Sequence, residues 1–183
     1  MNPNFIDSEF YNELESSLYS STFDIRKNWV RKIIEENIPI NEYSGILKSD
    51  RKTANRFLWL LSEIGLVNPD KLLTELPFLL DAFEHYNPIY KTSLASYWLI
   101  AGVPQENEGK AIDILFQFLM SGNTNVTIKA RSMLVLFKLT KKYPELKNEL
   151  TLCLKDQMDK YSIDFKKRVS KILIQLEQVY NHC

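Results

Sequence analysis

Two stretches late in the chain place apolar residues at the same helical spacing. The first set starts at Val126 and the second at Phe165, 39 residues later. In both, further apolar residues follow at steps of 4, 7, 8 and 11, which lie on one side of an α-helix. The sets are Val126, Ala130, Met133, Leu134 and Phe137, and Phe165, Val169, Ile172, Leu173 and Leu176. A pattern that returns at this distance indicates a repeated helical unit.

The same spacing occurs twice more, earlier in the chain. The offsets from one set to the next are 40, 36 and 39 residues, and Asp50 is the one polar member. A helix that contains Ile25 is a shortened fifth copy. No alternation typical of β-strands is present. The two earlier sets are Asp50, Ala54, Phe57, Leu58 and Leu61, and Tyr90, Leu94, Tyr97, Trp98 and Ala101.

Capping and turn residues predict the helix boundaries. Pro77 lies inside the helix that follows Asn68-Pro69-Asp70 and predicts a kink there. Predicted starts are Thr22 or Asp24, Asn68, Asn87, and Asn123 or Asn125; predicted ends are Gly65, Gly102 and Pro144. We therefore expect one all-α domain, residues 1–183, with about five helix pairs. The pairs cover residues 5–37, 41–65, 68–102, 106–142 and 145–180.

These units resemble HEAT repeats over nearly the whole chain. The resemblance depends on paired helices, on a period near 40, on Pro77 in a first helix, and on a basic residue early in each second helix. Those basic residues are Lys52, Lys91, Lys129 and Arg168. The resemblance implies a right-handed α-α superhelix of the HEAT/armadillo type. Tetratricopeptide repeats have a shorter period and a signature that this sequence lacks.

The charge changes sign along the chain although the net charge is zero. Residues 1–123 hold 11 Lys/Arg and 17 Asp/Glu, and residues 124–183 hold 12 and 6. This pattern is typical of ordinary solvated helix faces. It also fits an end of the molecule that favours anionic partners, or head-to-tail association of copies.

The sequence offers little for chemistry. His85 and His182 have no metal-ligand spacing, and no phosphate-binding loop, nucleophile elbow or carboxylate pair is present. We expect no catalytic residue, no metal site and no cofactor. The first residues have no signal-peptide pattern, and no apolar run reaches the length of a membrane span. Two cysteines, Cys153 and Cys183, favour a reducing compartment, so we expect a cytoplasmic protein without membrane association.

Aromatic and basic residues of the second helices are the candidates for partner binding. In a HEAT solenoid these helices line the concave face, so a groove there would present them. Trp59, which lies off the apolar stripe, is expected to keep an edge in solvent. The alternative is that the aromatics fill the core and that the basic residues are solvated or bridge neighbouring units. The candidates are Trp59, Trp98, Lys129, Arg131, Lys167 and Arg168.

An all-helical sequence raises three function classes, of which the third is unrelated to helical repeats. The first is a non-catalytic scaffold for a protein partner, which we expect. The second is a nucleic-acid-binding protein similar to the HEAT-like alkylpurine DNA glycosylases, but the neutral chain disfavours phosphate binding. The third, an all-helical lyase of the fumarase type, needs a longer chain and a Gly/Ser-rich signature loop. We therefore expect a protein partner and no nucleic acid.

Overall fold

The structure, a computed structural model, describes residues 8–85 and 88–178. Those residues form helices and turns with no strand among them, which confirms the all-α fold class. Contacts divide the chain into two compact units, Met1–Pro104 (unit 1) and Gln105–Cys183 (unit 2). The single domain with superhelical order stays a prediction. Asn87, His182 and Cys183 lie outside the described part, as do residues 5–7 of the first predicted pair and residues 179–180 of the last.

Unit 1 is built from helices whose starts are capped as the sequence predicts. The hydroxyl of Thr22 accepts a hydrogen bond from the amide of Ile25 (3.3 Å), and Asn68 Oδ1 accepts one from the amide of Lys71 (3.0 Å). Its described α-helices are α1 (Ser8–Ser20), α2 (Phe23–Glu35), α3 (Arg51–Val67), α4 (Pro69–His85) and α5 (Leu94–Ala101). Two 3₁₀ segments, Ile40–Lys48 and Pro88–Ser93, complete it. The segment Pro88–Ser93 is a 3₁₀ helix where the sequence predicts the first turns of the α-helix that starts at Asn87.

α3 is the central helix of unit 1. It contacts α1, α2, α4 and α5, so side chains on several of its sides are buried. Phe57 and Leu61 are fully enclosed, as their spacing predicts, and Leu58 is half-buried. The hydroxyl of Tyr97 on α5 donates to the carbonyl of Leu58 (2.9 Å), and burial raises the pKa of this phenol far above its ordinary value. Tyr97 is therefore a neutral structural hydrogen-bond donor.

Gly65 does not end its helix, contrary to the prediction. α3 continues to Val67, and Asn68 caps it by donating its amide to the carbonyl of Ile64 (2.7 Å). Gly65 is buried, and a Cβ there would lie 2.4 Å from Cδ2 of Leu72 and 3.2 Å from Cγ2 of Ile100. Glycine is needed at this position because α4 and α5 approach the backbone of α3 closely.

A buried carboxylate connects α4 to the 3₁₀ segment Ile40–Lys48. Glu75 accepts hydrogen bonds from the amides of Ile40 (3.1 Å) and Asn41 (3.0 Å) and forms an ion pair with Lys71 (3.3 Å). Amides at the start of a helical segment lack intrahelical acceptors, and a negative charge there is favourable. Glu75 thus holds the short segment against the unit 1 core.

Unit 2 begins with a short 3₁₀ turn, Gln105–Asn107, and continues with four described α-helices. Asn125 caps the second of them by accepting from the amide of Thr127 (2.8 Å), which fits one of the two predicted starts. All five residues of the Phe165 set are buried, as predicted. The helices are α6 (Glu108–Met120), α7 (Val126–Leu139), α8 (Leu146–Gln157) and α9 (Ile163–Gln178).

The buried side of α7 differs from the predicted stripe. Val126 is exposed, Leu134 and Phe137 are half-buried, and only Met133 of those four is fully enclosed. The buried arc is rotated by about 100°, one residue step of a helix. α7 contacts α6, α8 and α9, so its apolar residues outside the stripe are buried and the 3.6-residue period alone does not fix the register. The buried residues are Lys129, Ser132, Met133, Val135, Leu136 and Leu139.

Candidate functional site

One side of α3 carries polar and aromatic residues toward the junction of α1 and α2. Lys52, Arg56, Trp59 and Glu63 follow one another at steps of 4, 3 and 4, so they lie on one stripe of the helix. The stripe lies beside the enclosed residues of α3 and remains partly open to solvent. Each of its members contacts a residue of α1 or α2.

The first half of the stripe contacts the end of α1. Arg56 donates hydrogen bonds to the carbonyl of Leu18 (2.6 Å) and to the carbonyl of Tyr19. These carbonyls belong to the last turn of α1, where the helix leaves acceptors unpaired and the dipole favours a cation. Lys52 Nζ lies 4.8 Å from the centre of the exposed Tyr19 ring. Arg56 therefore has a structural role, while Tyr19 and Lys52 present a ring and a charge to solvent.

The second half of the stripe surrounds Trp59. Its ring lies 5.7 Å from the ring of Phe23, centre to centre, and the Arg26 guanidinium carbon lies 4.8 Å above it. Lys27 Nζ lies 5.8 Å from the same ring and forms an ion pair with Glu63. Trp59 is half-buried, and Phe23 is 56% exposed although it begins a helix in the middle of the unit.

We call this surface the aromatic–cation ladder. Exposed aromatic rings and arginine are residue types that anchor protein interfaces, and aromatic rings bury large areas at low cost in conformational entropy. Its cations stack on rings instead of facing a common point, so the arrangement suits a broad contact better than a small ligand. The ladder is formed by Tyr19, Phe23, Arg26, Lys27, Lys52 and Trp59.

The sequence identified one member of the ladder, Trp59, as a candidate for partner binding, and it named Lys52 only as a basic residue of the repeat. It did not single out Tyr19 or Phe23, whose ladder contacts come from other helices. The signal that could have found them is the polar spacing of Lys52, Arg56 and Glu63 around Trp59 on an otherwise apolar helix.

Trp98 and Lys129 are corrected to structural roles. Trp98 on α5 is buried in unit 1, where its stripe position predicts core packing, so a partner does not reach it. Lys129 on α7 is fully buried in unit 2. Its ammonium donates to the carbonyl of Leu119 and to Gln157 Oε1 (3.3 Å), and it lies 5.2 Å from the Tyr161 ring centre.

Lys129 therefore repeats in unit 2 what Arg56 does in unit 1. Leu119 belongs to the last turn of α6, and the Lys129 ammonium satisfies its carbonyl just as Arg56 satisfies the end of α1. A cation on a later helix caps the C-terminal end of an earlier one in both units. Among the described residues Lys129 pairs with no carboxylate, and its burial is explained by this cap and by the ring beneath it.

The other three candidates lie on unit 2. Arg131 is half-buried on α7 and interacts with neighbouring groups, whereas Lys167 and Arg168 are exposed on α9. Lys167 belongs to an outer face of α9 that also holds two exposed isoleucines, Ile163 and Ile174. A basic and aliphatic surface is thus separate from the aromatic–cation ladder. A partner-binding role for these residues stays a prediction.

Glu108 of unit 2 is a carboxylate that two other side chains hold by hydrogen bonds. Its Oε2 accepts from Lys142 Nζ (2.6 Å) and from the hydroxyl of Tyr143 (2.5 Å). Burial raises the pKa of Glu108, but the hydrogen bonds from Lys142 and Tyr143 outweigh burial and bring the pKa below its ordinary value. The same contact raises the pKa of Lys142 and of Tyr143. These three side chains bind one another and connect the start of α6 to the turn after α7.

No cluster of three His, Cys, Asp or Glu residues within residues 8–85 and 88–178 is suited to a metal ion. Among the same residues, no helix is both long enough and apolar enough to cross a membrane. Cys153 is half-buried, and its pKa is raised first by burial and then by Glu149 and Asp156, so the thiol is a weak nucleophile. The chain matches no protein-family model, no curated protein and no solved structure.

Proposed function

We propose that this protein is a non-catalytic helical-repeat scaffold that binds a protein partner through the aromatic–cation ladder. The observation that carries the proposal is the contact between the exposed Phe23 and the half-buried Trp59, with Arg26 stacked on the tryptophan. When a partner covers a large exposed apolar side chain, the burial of its apolar area stabilises the complex. A side chain that already contacts a stacked cation loses little conformational freedom on binding.

We also propose that the helices form a right-handed α-α superhelix of the HEAT/armadillo type. Contacts between neighbouring and next-but-one helices support this arrangement within each unit. In unit 2, α7 contacts α6, α8 and α9, and α8 contacts α6 as well as α9. In unit 1, α3 contacts α1 and α5 in addition to its neighbours. Stacked repeats make contacts of this limited range, because each repeat packs only on the next.

A capture experiment tests the ladder. The parent protein and the double variant Phe23→Ala, Trp59→Ala are immobilised and exposed to a lysate of the native cell, and retained proteins are identified. We expect at least one protein that the parent retains and the double variant loses. Leu152→Ala serves as control, because Leu152 is an exposed apolar residue of α8 outside the ladder, and it should retain the same proteins as the parent.

The captured partner is then titrated by calorimetry. Trp59→Ala should weaken binding by about 1 kcal/mol or more, while the melting temperature changes little. Equal affinity for the parent and the double variant would place the partner elsewhere and contradict the ladder assignment. Tight binding of a labelled DNA duplex at physiological salt, lost in the double variant, would instead favour the nucleic-acid alternative.

A further inference from the structure

Three cations gather at the C-terminal end of α1. Arg26 of α2 donates hydrogen bonds to the carbonyl (3.0 Å) and to the hydroxyl (3.3 Å) of Ser21, the residue that follows this helix. Arg56 of α3 donates to carbonyls in the last turn of α1. Lys52 of α3 lies over the ring of Tyr19 in the same turn. We call Arg26, Lys52 and Arg56 the cationic end.

The positive charge of the cationic end exceeds what α1 can neutralise. The C-terminus of a helix carries roughly half an elementary negative charge, against one positive charge on each of the three side chains. Among the residues that the structure describes, no carboxylate forms an ion pair with any of them. Asp50 attracts Lys52, but it accepts hydrogen bonds from the amides of Lys52 (2.8 Å) and Thr53 (3.2 Å) as the cap of α3. An excess of positive charge therefore remains, which carboxylates of a partner can neutralise.

The stripe of α3 becomes apolar toward its other end. It continues beyond Trp59 and Glu63 to Leu66, which is 63% exposed. Glu63 forms its ion pair with Lys27, so these two opposite charges compensate each other in the middle of the stripe. The 14 residue steps from Lys52 to Leu66 span about 21 Å. Over this length the surface changes from cationic through aromatic to aliphatic.

α2 follows the same direction beside the stripe. Phe23 contacts Trp59, and four residues later on both helices Lys27 contacts Glu63. The two helices therefore run parallel here, and the exposed ring of Phe23 widens the aromatic middle of the surface. A binding segment that follows α3 thus meets the same order of charged, aromatic and aliphatic groups along its length.

We infer that the partner of the aromatic–cation ladder presents a segment that is acidic at one end and apolar at the other. Its acidic residues neutralise the cationic end, and its apolar residues cover Phe23, Trp59 and Leu66. The segment lies along α3, with its acidic part beside α1. This inference rests on the proposed function, because it names the chemistry of the partner that the same surface binds.

A nucleic acid fits this surface less well than an acidic protein segment. Arg26 lies over the Trp59 ring and Lys52 lies over the Tyr19 ring, so one face of each ring is already covered and closed to a stacked base. Unit 1 as a whole has 10 Lys/Arg and 14 Asp/Glu. Its net negative charge repels a polyphosphate chain more strongly than a short segment with few carboxylates.

Selection from a display library of random peptides tests the inference. Peptides of about 16 residues are long enough to span the stripe as a helix or as an extended chain. They are selected on the parent protein, with the double variant Phe23→Ala, Trp59→Ala as counter-selection, so that retained peptides depend on the ladder. We expect enriched sequences that have an acidic excess at one end and apolar residues at the other. One such peptide is then synthesised and titrated by fluorescence anisotropy.

Lys52→Glu reverses a charge of the cationic end on an exposed residue in the first turn of α3, where an acid favours the helix dipole and folding is retained. It should weaken binding of the peptide by about fivefold or more. A version of the peptide with one acidic residue changed to lysine should bind this variant more tightly than it binds the parent. Lys155→Glu makes the same charge change on the exposed side of α8 and should bind the peptide like the parent.

Two further measurements cover the apolar end and the charge. Leu66→Ser should weaken the peptide by about threefold or more, because less apolar area is buried. Salt at about 0.5 M should weaken binding to the parent by a similar factor, because it screens the charges. Equal affinity of the parent for the peptide at low and high salt would contradict the acidic match.

The failure of this inference is distinguishable from the failure of the ladder as a binding site. Enriched peptides without an acidic excess, or a peptide that binds Lys52→Glu as well as the parent, would overturn the inference and leave the ladder in place. A library that yields no ladder-dependent peptide would overturn it too, and the capture from lysate then decides about the ladder by itself. Displacement of the peptide by a single-stranded DNA of about 20 nucleotides at physiological salt would overturn it in favour of a nucleic-acid partner.

Discussion

Gly65 and Leu72 meet where α3 and α4 pack against each other. A Cβ at Gly65 would stand 2.4 Å from Leu72 Cδ2, much closer than carbon atoms approach without displacement. The two residues are separated by the turn at Asn68, whose side chain caps α4 while its amide ends α3. The close approach of the two helices therefore depends on the missing side chain.

Gly65→Ala should destabilise the protein although it lies inside a helix. Alanine is favoured over glycine in helices by about 1 kcal/mol, so an unconstrained site would gain stability. At Gly65 the added methyl must displace Leu72 and meets Ile100 as well, and overpacking of this kind costs about 1–3 kcal/mol. Urea denaturation should show a lower midpoint at an unchanged slope.

Gly109→Ala is the matched control. Gly109 lies in the first turn of α6, and a Cβ there would meet nothing within 4 Å. We expect a gain of about 0.4–1 kcal/mol from the reduced freedom of the unfolded chain. Effects of the same sign for the two alanine variants would contradict the packing argument.

Glu108→Gln should weaken the protein most at neutral pH. The hydrogen bonds from Lys142 and Tyr143 hold the pKa of Glu108 below its ordinary value, so its folded state favours the carboxylate. A lowered folded-state pKa contributes stability above the unfolded pKa, about 4.3 for Glu, and that contribution is lost as the pH falls through the folded pKa. The stability difference between parent and variant should therefore shrink below about pH 4.3.

Thermal melts between acidic and neutral pH measure this difference. Glu106→Gln is the control, since Glu106 is exposed in the turn before α6. Its melting temperature should follow that of the parent at every pH. A Glu108→Gln variant whose deficit stays constant down to the acid limit would show that the carboxylate charge contributes nothing.

The sequence predicts helix existence better than it predicts which side of a helix is buried. Thr22, Asn68 and Asn125 cap helices as their residue types indicate, because capping is a local interaction. The stripe of α9 is predicted correctly, since this helix is strongly amphipathic. Val126 and the buried side of α7 are predicted wrongly, because several neighbours bury this helix and the period then carries little information.

The candidate site could be predicted only in part for a similar reason. Trp59 lies off the apolar stripe, and this position alone indicates partial exposure. Phe23 of α2 contacts Trp59, and Tyr19 of α1 contacts Lys52 on the same helix as Trp59. These contacts join different helices, so no pattern within one helix predicts them. Lysine is usually a surface residue, so the sequence does not indicate that Lys129 is buried. Only the packing of α6 on α7 shows that it caps a buried helix end.

Met133→Asp tests the corrected register of α7. Met133 is fully buried, and a charge there has no partner, which costs several kcal/mol and should unfold unit 2. Val126→Asp changes another member of the predicted stripe, but Val126 is exposed at the first position of α7, where an acid favours the helix dipole. Circular dichroism should show loss of helix for the first variant and a parental melt for the second. An equal loss of helix in both variants would support the stripe that the sequence predicts.

The last prediction concerns two residues that the repeat alignment treats as equivalent. Lys129 and Arg168 both stand early in a second helix, but Lys129 is fully buried and Arg168 is exposed. Lys129→Met keeps much of the side-chain volume and removes the ammonium, so the Leu119 carbonyl and Gln157 Oε1 lose a buried donor. An unsatisfied buried polar group costs about 1–3 kcal/mol, and we expect a destabilisation in that range.

Arg168→Met should change the free energy of unfolding by less than about 0.5 kcal/mol, as is usual for exposed positions. Chemical denaturation of both variants at neutral pH measures the contrast. Equal effects would mean that the basic position acts in the same way in every repeat, and the capping role of Lys129 would then be wrong.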